Sequence, residues 1–299
     1  MDRRQSVRFY SVSYLWSEAM TQSPTLSPEA AARFRDFERR RHDALSASYS
    51  DFFAPVTALA NEPLLDAVRL SAGSCLLDVA TGTGALAARA AALGARAVGV
   101  DLSSGMVDLA RRLHPGLDFR VADVEHLPFP DGSIDAVVCS FALGHFPYPE
   151  AAVAECVRVL VPGGRIALSW WDDPSRQRIQ GLFREAIAEI GAKPPPEVPA
   201  GYSVLRFSDA AEFRRLLEGA KLSEVDVADH RTSYLIRDVE TLWRGGLGSL
   251  AVTAAAIEHQ NGATRAAIRA ALERRAAAYV TPDGLRLPIA FKVGTGRKS

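Results

Sequence analysis

The sequence predicts an α/β fold: a doubly wound, seven-stranded and mostly parallel sheet of Rossmann-like type with a helical cap. Three observations carry this prediction. From Cys75 onward, short apolar runs of strand type alternate with segments rich in helix formers, which is typical of parallel sheets covered on both faces. A turn containing Gly82 and Gly84 separates the first strand from the first helix of that series. Acidic or polar residues end several strands, at the edge where such sheets bind ligands.

The elements follow one another in a regular order. The first helix starts at Ser27-Pro28-Glu29, where a cap residue, a first-turn proline and an acid are adjacent, and a further helix over 58–70 leads into the sheet. In the core, the alternation of apolar runs and helix formers predicts strands at 75–79, 95–100, 117–121, 134–140 and 164–171, with helices at 84–93, 104–113 and 149–160. In the last third of the sequence, helices are predicted at 178–190, 208–219 and 263–279, and another is predicted to start at 238. Strands are predicted there at 223–228 and 287–293.

Length favours one core with additions rather than two separate domains. The 299 residues are divided into an N-terminal extension with cap helices (1–64) and a core (65–299). Within that core, cap insertions are predicted at about 174–205 and 238–280. The segment ahead of Met20 is interpreted as an upstream extension of the reading frame, with a transit peptide as the alternative.

Charge and cysteine content restrict the partners and the compartment. A formal net charge of +0 and a pI near 7.0 give no global field that would favour nucleic acid or an anionic membrane. We therefore expect a small-molecule partner, and no membrane insertion, because no apolar run reaches bilayer-spanning length. Cys75, Cys139 and Cys156 show no C-x-x-C spacing, which indicates reduced thiols in a cytoplasmic protein. A homodimer is compatible with these observations.

The glycine turn and the acids around it indicate a nucleotide-type ligand. Gly82 and Gly84 allow backbone N–H groups and a helix start to approach a ligand without side-chain obstruction. Asp78 lies inside the preceding strand, where dinucleotide folds usually keep apolar residues. Asp101 ends the next strand, about where a carboxylate would accept both hydroxyls of a ribose. Asp123 follows the third strand, so three acids converge on one predicted cleft.

This set of residues resembles the class I S-adenosylmethionine (SAM)-dependent methyltransferases, in particular the branch that includes the ubiquinone- and menaquinone-biosynthesis enzymes. The resemblance covers roughly residues 65–171 and is specific for the cofactor rather than the substrate. It implies SAM as the cofactor and a final antiparallel strand that places 287–296 beside 164–171. The family's motifs carry over to the following cofactor-binding residues: Asp78, Ala80, Thr81, Gly82 and Gly84 for the methionine portion, Asp101 for the ribose, Leu102, Met106, Asp123 and Val124 for the adenine, and Ser140 at the fourth strand end.

Two of these acids also have a structural interpretation. Asp101 would serve as the N-cap of the following helix, although Ser103 or Ser104 can cap that helix without it. Asp123 would serve as a turn acid ahead of a proline-containing loop. The positions of both acids at strand ends favour cofactor binding.

The substrate side is less specific. Methyl transfer mainly requires that donor and nucleophile are aligned and that water is excluded. If the nucleophile is a hydroxyl, His145 is the candidate general base; the alternative is a packed or cofactor-lining histidine, which is frequent at this position in related methyltransferases. The predicted substrate-binding residues are Tyr49, Phe53, His145, Trp171 and Trp243, with ordinary core packing as the alternative for the aromatic rings.

No metal site is predicted. His42, His230 and His259 are scattered along the sequence and do not form a ligand set. The pair Asp172-Asp173, after the fifth strand, is interpreted as a solvated turn that caps the next helix rather than as a Mg²⁺ site.

The resulting hypothesis is a SAM-dependent methyltransferase that methylates an oxygen or carbon of a small, largely apolar molecule by in-line displacement. The expected acceptor is of phenol, quinone, polyketide or isoprenoid type. An NAD(P)-dependent oxidoreductase of Rossmann type is the alternative enzyme, because Gly82, Gly84 and Ala87 also fit G-x-G-x-x-A. Asp78 and Asp123 argue against it. A non-catalytic partner protein with a methyltransferase fold is the third hypothesis.

Overall fold

The computed structural model describes residues 26–196 and 205–299. Residues 1–25 of the predicted extension and part of the predicted insertion at 174–205 therefore lie outside the described residues. The strands are β1 (Cys75–Val79), β2 (Arg96–Asp101), β3 (Asp118–Val121), β4 (Ile134–Ser140), β5 (Leu160–Trp171), β6 (Ser223–Ile236), β7 (Val280–Thr281) and β8 (Gly284–Arg297). The helices are α1 (Pro28–Phe52), α2 (Ala54–Thr57), α3 (Asn61–Ala67), α4 (Ala85–Ala92), α5 (Ser104–Leu113), α6 (Pro149–Val159), α7 (Arg178–Ile190), α8 (Ala210–Gly219), α9 (Val239–Leu247), α10 (Ala251–Glu258) and α11 (Gly262–Ala276).

These strands form one mixed sheet in the order β3-β2-β1-β4-β5-β8-β6, and the two-residue β7 pairs with β8. The pairs β1–β2, β1–β4, β2–β3 and β4–β5 are parallel, whereas β8 is antiparallel to both β5 and β6. The predicted doubly wound, mostly parallel sheet is confirmed, and β7 adds a short strand to the predicted seven. The expected antiparallel pairing of the last strand with the fifth is also confirmed, since Lys292 lies opposite Trp170.

The strand order reverses at β1 and β4, which are neighbours in the sheet. From β1 the chain continues through α4 to β2 on one side, and from β4 it continues through α6 to β5 on the other side. Because parallel crossovers are right-handed, the two helices cover opposite faces of the sheet. A crevice therefore opens at the carboxyl ends of β1 and β4, where such sheets bind their ligands.

Three strands are longer than the sequence predicted. β5 starts at Leu160, and the expected turn at 162–164 is instead an irregularity in the β4–β5 pairing. Between Ile134 and Ala136 of β4, the partner residue advances from Leu160 to Arg165. β6 and β8 pair from Ser223 onward as a long antiparallel ribbon. The sequence did not reveal the outer half of β6 because its side chains are mostly exposed there, so no apolar alternation marks it.

The helix starts follow their capping residues. Ser27 Oγ accepts a hydrogen bond from Ala30 N–H at 3.3 Å, which is the predicted start of α1. The predicted cap of α8 is wrong, because Ser208 belongs to a short 3-10 turn and Asp209 accepts the first-turn N–H groups instead. A carboxylate also favours the positive end of the helix dipole. None of the described helices combines the length and the apolar character needed to cross a bilayer.

Helix α9 packs closely on two neighbours through a pair of glycines. A Cβ atom added at Gly245 would lie 2.2 Å from the Phe52 ring of α1, and one added at Gly246 would lie 2.2 Å from the Phe183 ring of α7. Only glycine permits such an approach of ring to helix backbone. The predicted cap region at 238–280 is thus in direct contact with the N-terminal helix.

We expect Gly246→Ala to lower the free energy of unfolding by about 1–3 kcal/mol, because the added methyl group would displace the buried Phe183 ring. Urea unfolding measures this change. Gly219→Ala is the matched control at the end of α8, since nothing lies within 4 Å of an added Cβ there. It is expected to be neutral or up to about 1 kcal/mol more stable. Equal effects of the two substitutions would contradict the close packing of α9 on α7.

Candidate active site

A cleft with a cavity volume of about 190 Å³ lies at the carboxyl ends of β1, β2 and β4. It brings together residues that the sequence separates by more than a hundred positions. Among the predicted cofactor residues, these line the cleft: Ala80, Gly82, Asp101, Leu102, Met106, Asp123, Val124 and Ser140. The predicted substrate residues that line the cleft are Tyr49, Phe53, His145 and Trp171.

The remaining predicted site residues lie behind or away from the cleft wall: Asp78, Thr81, Gly84 and Trp243. Trp243 stacks on Phe183 of α7, with ring centroids 6.0 Å apart and an interplanar angle of 21°. This is the core-packing alternative for an aromatic residue. Trp243 is not among the residues that line the cleft, so its predicted substrate contact stays a prediction.

Asp78 is tied to the glycine turn rather than directed into the cleft. Its side chain is buried, and its carboxylate accepts hydrogen bonds from Thr81 Oγ1 at 2.6 Å and from Ala87 N–H at 3.2 Å. The first bond holds the turn and the second holds the first turns of α4. Burial raises the pKa of Asp78 to about 7. The structure thus gives Asp78 a supporting position behind the turn, and its predicted contact with a bound methionine group stays a prediction.

The backbone is strained where the chain leaves the two central strands. Ala80, directly after β1, and Phe141, directly after β4, both have φ of 54°. This left-handed conformation costs a non-glycine residue of the order of 1–2 kcal/mol. Gly82 adopts the same φ, and Gly84 a φ of 79°, without that cost. Ala80 and Phe141 both line the cleft, and such strain is typical of functional sites.

Asp101, at the end of β2, is held by two backbone N–H groups. Gly82 N–H donates to Oδ2 and Ser103 N–H donates to Oδ1, both at 2.9 Å. Ser103 Oγ itself caps α5 by accepting from Met106 N–H at 3.1 Å, so the helix has its cap without Asp101. Each carboxylate oxygen of Asp101 retains a lone pair for a ligand hydroxyl. Burial raises the pKa of Asp101.

Asp123, after β3, has protein partners for both oxygens. Glu125 N–H donates to Oδ1 at 3.0 Å, and Arg35 Nε of α1 lies 3.1 Å from Oδ2. The hydrogen bond from Glu125 N–H is the one that a turn acid makes, which was the structural alternative for Asp123. The side chain also lines the cleft beside Val124, so a ligand there would share Asp123 with Arg35.

Aromatic rings form a continuous wall on the other side of the cleft. Phe141 and Trp171 stack with centroids 3.7 Å apart and an interplanar angle of 14°. Phe53 lies 5.5 Å from Trp171, and Tyr49 lies 5.8 Å from Phe53. The wall therefore joins the C-terminal part of α1 to the ends of β4 and β5. Flat apolar surfaces of this kind suit an aromatic or isoprenoid ligand.

Glu38, on α1, is a cleft residue that no sequence pattern marks. It is 4% exposed, and its Oε2 lies 3.0 Å from His145 Nδ1 and 3.5 Å from His42 Nδ1. The two histidine rings meet edge-on with centroids 5.2 Å apart. His42, which the sequence spacing excluded from any ligand set with His230 and His259, thus lies beside Glu38 and His145. The i, i+4 spacing of Glu38 and His42 was visible in the sequence, but His145 joins them only when α1 docks on the sheet.

The pair Asp172-Asp173 is only half explained by a solvated turn. Asp173 accepts the Ser175 N–H and Oγ–H, as a turn acid does. The Asp172 side chain is instead buried, 3.3 Å from Lys292 Nζ of β8 and 3.0 Å from Arg176. Asp172 therefore forms a buried ion pair at the cleft wall, which corrects the prediction for this residue.

Helix α7 adds polar groups to the cleft lining. Gln177 is 1% exposed; its Oε1 accepts from Gln180 N–H at 2.9 Å, and its Nε2 has no hydrogen-bond partner among the described residues. Burial lowers the pKa of Arg184, which also lines the cleft, to about 10. A largely apolar ligand would meet hydrogen-bond donors at this end.

Known proteins show the same architecture and related sequences. A family model described as a methyltransferase domain matches residues 77–168, from β1 into β5. A ubiquinone biosynthesis O-methyltransferase of Xanthomonas oryzae is 36% identical over 213 residues, which are 67% of this chain and 85% of that protein. A demethylmenaquinone methyltransferase of Renibacterium salmoninarum is 35% identical over 160 residues, or 50% of this chain and 67% of that protein. The chain belongs to the class I SAM-dependent methyltransferases.

A solved structure agrees at the level of the fold. A putative methyltransferase from an antibiotic biosynthesis pathway of Anabaena variabilis superimposes with a TM-score of 0.56 at 20% sequence identity. The match covers 78% of this methyltransferase and 95% of the other chain. The expected family and enzyme class are confirmed by the family model and the sequence relatives.

Asp78 makes the stability of this methyltransferase pH-dependent in a defined direction. Its pKa of about 7 in the folded protein exceeds its ordinary value of 3.8, so between these values the folded state binds the extra proton. The contribution of this group to stability therefore falls as pH rises from about 4 to 7. We expect the free energy of unfolding of Asp78→Asn, relative to the parent protein, to rise over this interval by up to about 4 kcal/mol and to stay level above it.

Urea unfolding between pH 4 and pH 9 measures this difference. Asp118→Asn, at an exposed carboxylate of β3 outside the cleft lining, is the matched control for the loss of one charge. If the Asp78→Asn curve runs parallel to that of the parent protein, burial does not hold the Asp78 proton in the way described.

Proposed function

We propose that this methyltransferase holds SAM between the glycine turn and Asp101 and methylates a small, largely apolar molecule of phenol, quinone, polyketide or isoprenoid type on oxygen or carbon. The observation that carries the proposal is the continuity of one cleft. Its wall at β1 and β2 offers a carboxylate for hydroxyl groups, and its wall at β4, β5 and α1 offers stacked aromatic rings. One part suits the adenosyl group and the other suits the acceptor.

The residues at β1 and β2 fit an adenosyl ligand. The free lone pairs of Asp101 would accept the two ribose hydroxyls, and Leu102 and the buried Met106 would flank the adenine. Gly82 has no side chain to obstruct a ligand, and nothing lies within 4 Å of the position of its missing Cβ. The backbone at Ala80 and Gly82 would hold the methionine portion.

Six further predicted residues would act on the cofactor, some directly and some through the glycine turn. Val124 N–H and the Asp123 carboxylate would meet the adenine edge, with Asp123 shared with Arg35. Ser140, at the end of β4, would lie where the two parts of the cleft meet. Asp78, Thr81 and Gly84 would act from behind by fixing the turn.

The acceptor is proposed from the character of the aromatic wall. Tyr49, Phe53 and Trp171 provide flat surface, and the donors of Gln177 and Arg184 suit an oxygen on an otherwise apolar molecule. The two relatives, named for demethylmenaquinone and for ubiquinone biosynthesis, support an oxygenated aromatic of quinone type.

The chain itself has to position the acceptor and exclude water. SAM, when bound, supplies an electrophilic methyl group. Alignment at about 3–3.5 Å accounts for most of the rate enhancement that such a displacement needs. Helix α1 contributes five residues to the cleft lining and so shields the reaction from solvent: Arg35, Glu38, Arg39, His42 and Tyr49. His145 is the proposed base when the acceptor is a hydroxyl.

Asp101→Ala is expected to weaken SAM binding by roughly ten- to a hundredfold, because one charge-assisted hydrogen-bonding group contributes about 1.5–3 kcal/mol. Isothermal calorimetry measures the affinity, and melting without ligand checks that the variant folds. Asp118→Ala, on the neighbouring β3 but outside the cleft lining, is the control and should bind SAM like the parent protein. Unchanged affinity of a folded Asp101→Ala protein would remove Asp101 from the cofactor site.

Turnover tests the proposal as a whole. The full chain is incubated with SAM and a panel of phenols, quinols and prenylated aromatics, and methylated products are identified by mass spectrometry. We expect stabilisation by SAM but not by NAD(P) in thermal melting, and product from at least one oxygenated aromatic. SAM binding without product from any class would favour the non-catalytic partner hypothesis.

A further inference from the structure

Helix α1 places a buried carboxylate inside the cleft. Burial alone would raise the pKa of Glu38, but His145 beside it, together with His42 and Arg41, lowers it overall. The ionised form is thus stabilised by a partner from another part of the chain. A charged group in such a position usually has a specific partner and a function.

The partner is His145, in the loop after β4. Glu38 Oε2 and His145 Nδ1 are 3.0 Å apart, which is the distance of a hydrogen bond in which the ring N–H donates. That bond selects the tautomer with an unprotonated Nε2. Within residues 26–196 and 205–299, no hydrogen bond to Nε2 is formed, and the ring lines the cleft with 35% of its side chain exposed.

We propose that Glu38 is a positioning residue for His145, and that the two form a carboxylate–histidine dyad which removes the proton of an acceptor hydroxyl. This inference rests on the proposed function, because it places the acceptor in the same cleft. It narrows that function to O-methylation of an ionisable hydroxyl, of phenol or enol type. The dyad takes a proton from oxygen, so a hydroxyl is the nucleophile that this geometry serves directly.

The proton and the electrons balance within this scheme. The acceptor O–H bond breaks and its proton goes to His145 Nε2, while an oxygen lone pair forms the new bond to the methyl carbon. The carbon–sulfur bonding pair stays with the sulfur, which leaves as the neutral thioether. Glu38 remains ionised and stabilises the imidazolium that forms, which is the role of the carboxylate in hydrolase triads. The imidazolium then returns its proton to water.

His42 makes a metal centre the competing interpretation. Glu38, His42 and His145 each offer one ligand atom, all within 4.8 Å of one another. His42 Nδ1, however, lies 2.8 Å from the backbone carbonyl oxygen of Glu38, one turn earlier on α1. A metal bound through His42 Nδ1 would require that hydrogen bond to break, whereas the dyad uses the geometry as it stands.

Charged groups from two elements act on His145. Burial lowers the pKa of His145, but Glu38 from α1 and Asp101 from β2 outweigh it and raise the pKa overall. His42 and Arg41, also on α1, lie next to Glu38. Because the base must be neutral, activity should rise with pH through the raised pKa. Removing the Glu38 charge should move that acid limb to lower pH by about one unit or more.

Glu38→Gln is the decisive variant, and Glu258→Gln is its control. Glu258, half exposed on α10, pairs with Arg41 of α1 at 3.1 Å, so it also anchors α1 but lies outside the dyad. The pKa of His145 is measured by NMR titration of the full chain without ligand, with assignment from a His145→Gln variant. In parallel, the pH profile of kcat/KM is recorded with a phenolic acceptor found in the turnover screen, and SAM affinity by calorimetry.

We expect Glu38→Gln to lower the His145 pKa, to shift the acid limb with it and to reduce the plateau kcat about tenfold, with SAM affinity within about twofold of the parent protein. His145→Gln should lose about a hundredfold or more in kcat. Glu258→Gln should change none of these quantities. An unshifted His145 pKa in Glu38→Gln, or full activity of His145→Gln, would overturn the dyad.

Activity that is lost with a chelator and restored by Zn²⁺ or Mn²⁺ would also overturn the dyad, in favour of a metal centre. The His145 titration needs neither SAM nor an acceptor. It therefore reports on the dyad even if the protein binds no SAM, which is the result that would contradict the proposed function instead.

Discussion

The reversal of strand order at β1 and β4 is the constraint on which the site depends. Since the crossovers from these two strands run in opposite directions, neither crossover helix covers the sheet edge between their carboxyl ends. The chain must leave both strands sharply at that edge, and Ala80 and Phe141 do so in left-handed conformations that a non-glycine residue rarely adopts. The sheet on either side is buried and rigid, so it can hold this strain where a ligand would lie.

Helix α1 closes the gap that the sheet leaves open, and it does so through polar contacts with the cleft residues themselves. Arg35 pairs with Asp123, Glu38 pairs with His145, and Asp43 Oδ1 accepts hydrogen bonds from Ser103 Oγ at 2.6 Å and from Gly105 N–H at 3.0 Å. These contacts reach the ends of β3, the loop after β4 and the start of α5. The position of α1 is therefore set by the same side chains that we propose for the cofactor and the acceptor. Several residues proposed to bind the ligands, among them Asp123 and His145, therefore also hold α1 over the cleft.

The sequence predicted the parts of the fold and site that local patterns determine. Apolar periodicity marks β1 to β5, and the parallel topology then brings Asp101, Asp123 and Ser140 to one edge. What it could not predict depends on docking or on side-chain direction. Glu38 reads as one acid among many on an amphipathic helix until α1 packs against His145. The contact of the Asp78 carboxylate with Thr81 is a hydrogen bond that no sequence spacing reveals.

The signs of the charges in the cleft distinguish the two nucleotide-type ligands that a glycine turn can accept. Asp78 and Asp101 both have raised pKa values because burial outweighs every favourable contact that their ionised forms make. A ligand that brings a permanent positive charge relieves this penalty, since it stabilises the ionised acids and cannot be neutralised by losing a proton. The sulfonium of SAM is such a ligand. The pyrophosphate of a dinucleotide would bring negative charge next to the same carboxylates and increase the penalty. The burial of these acids is thus compatible with the ligand that the family relationship indicates.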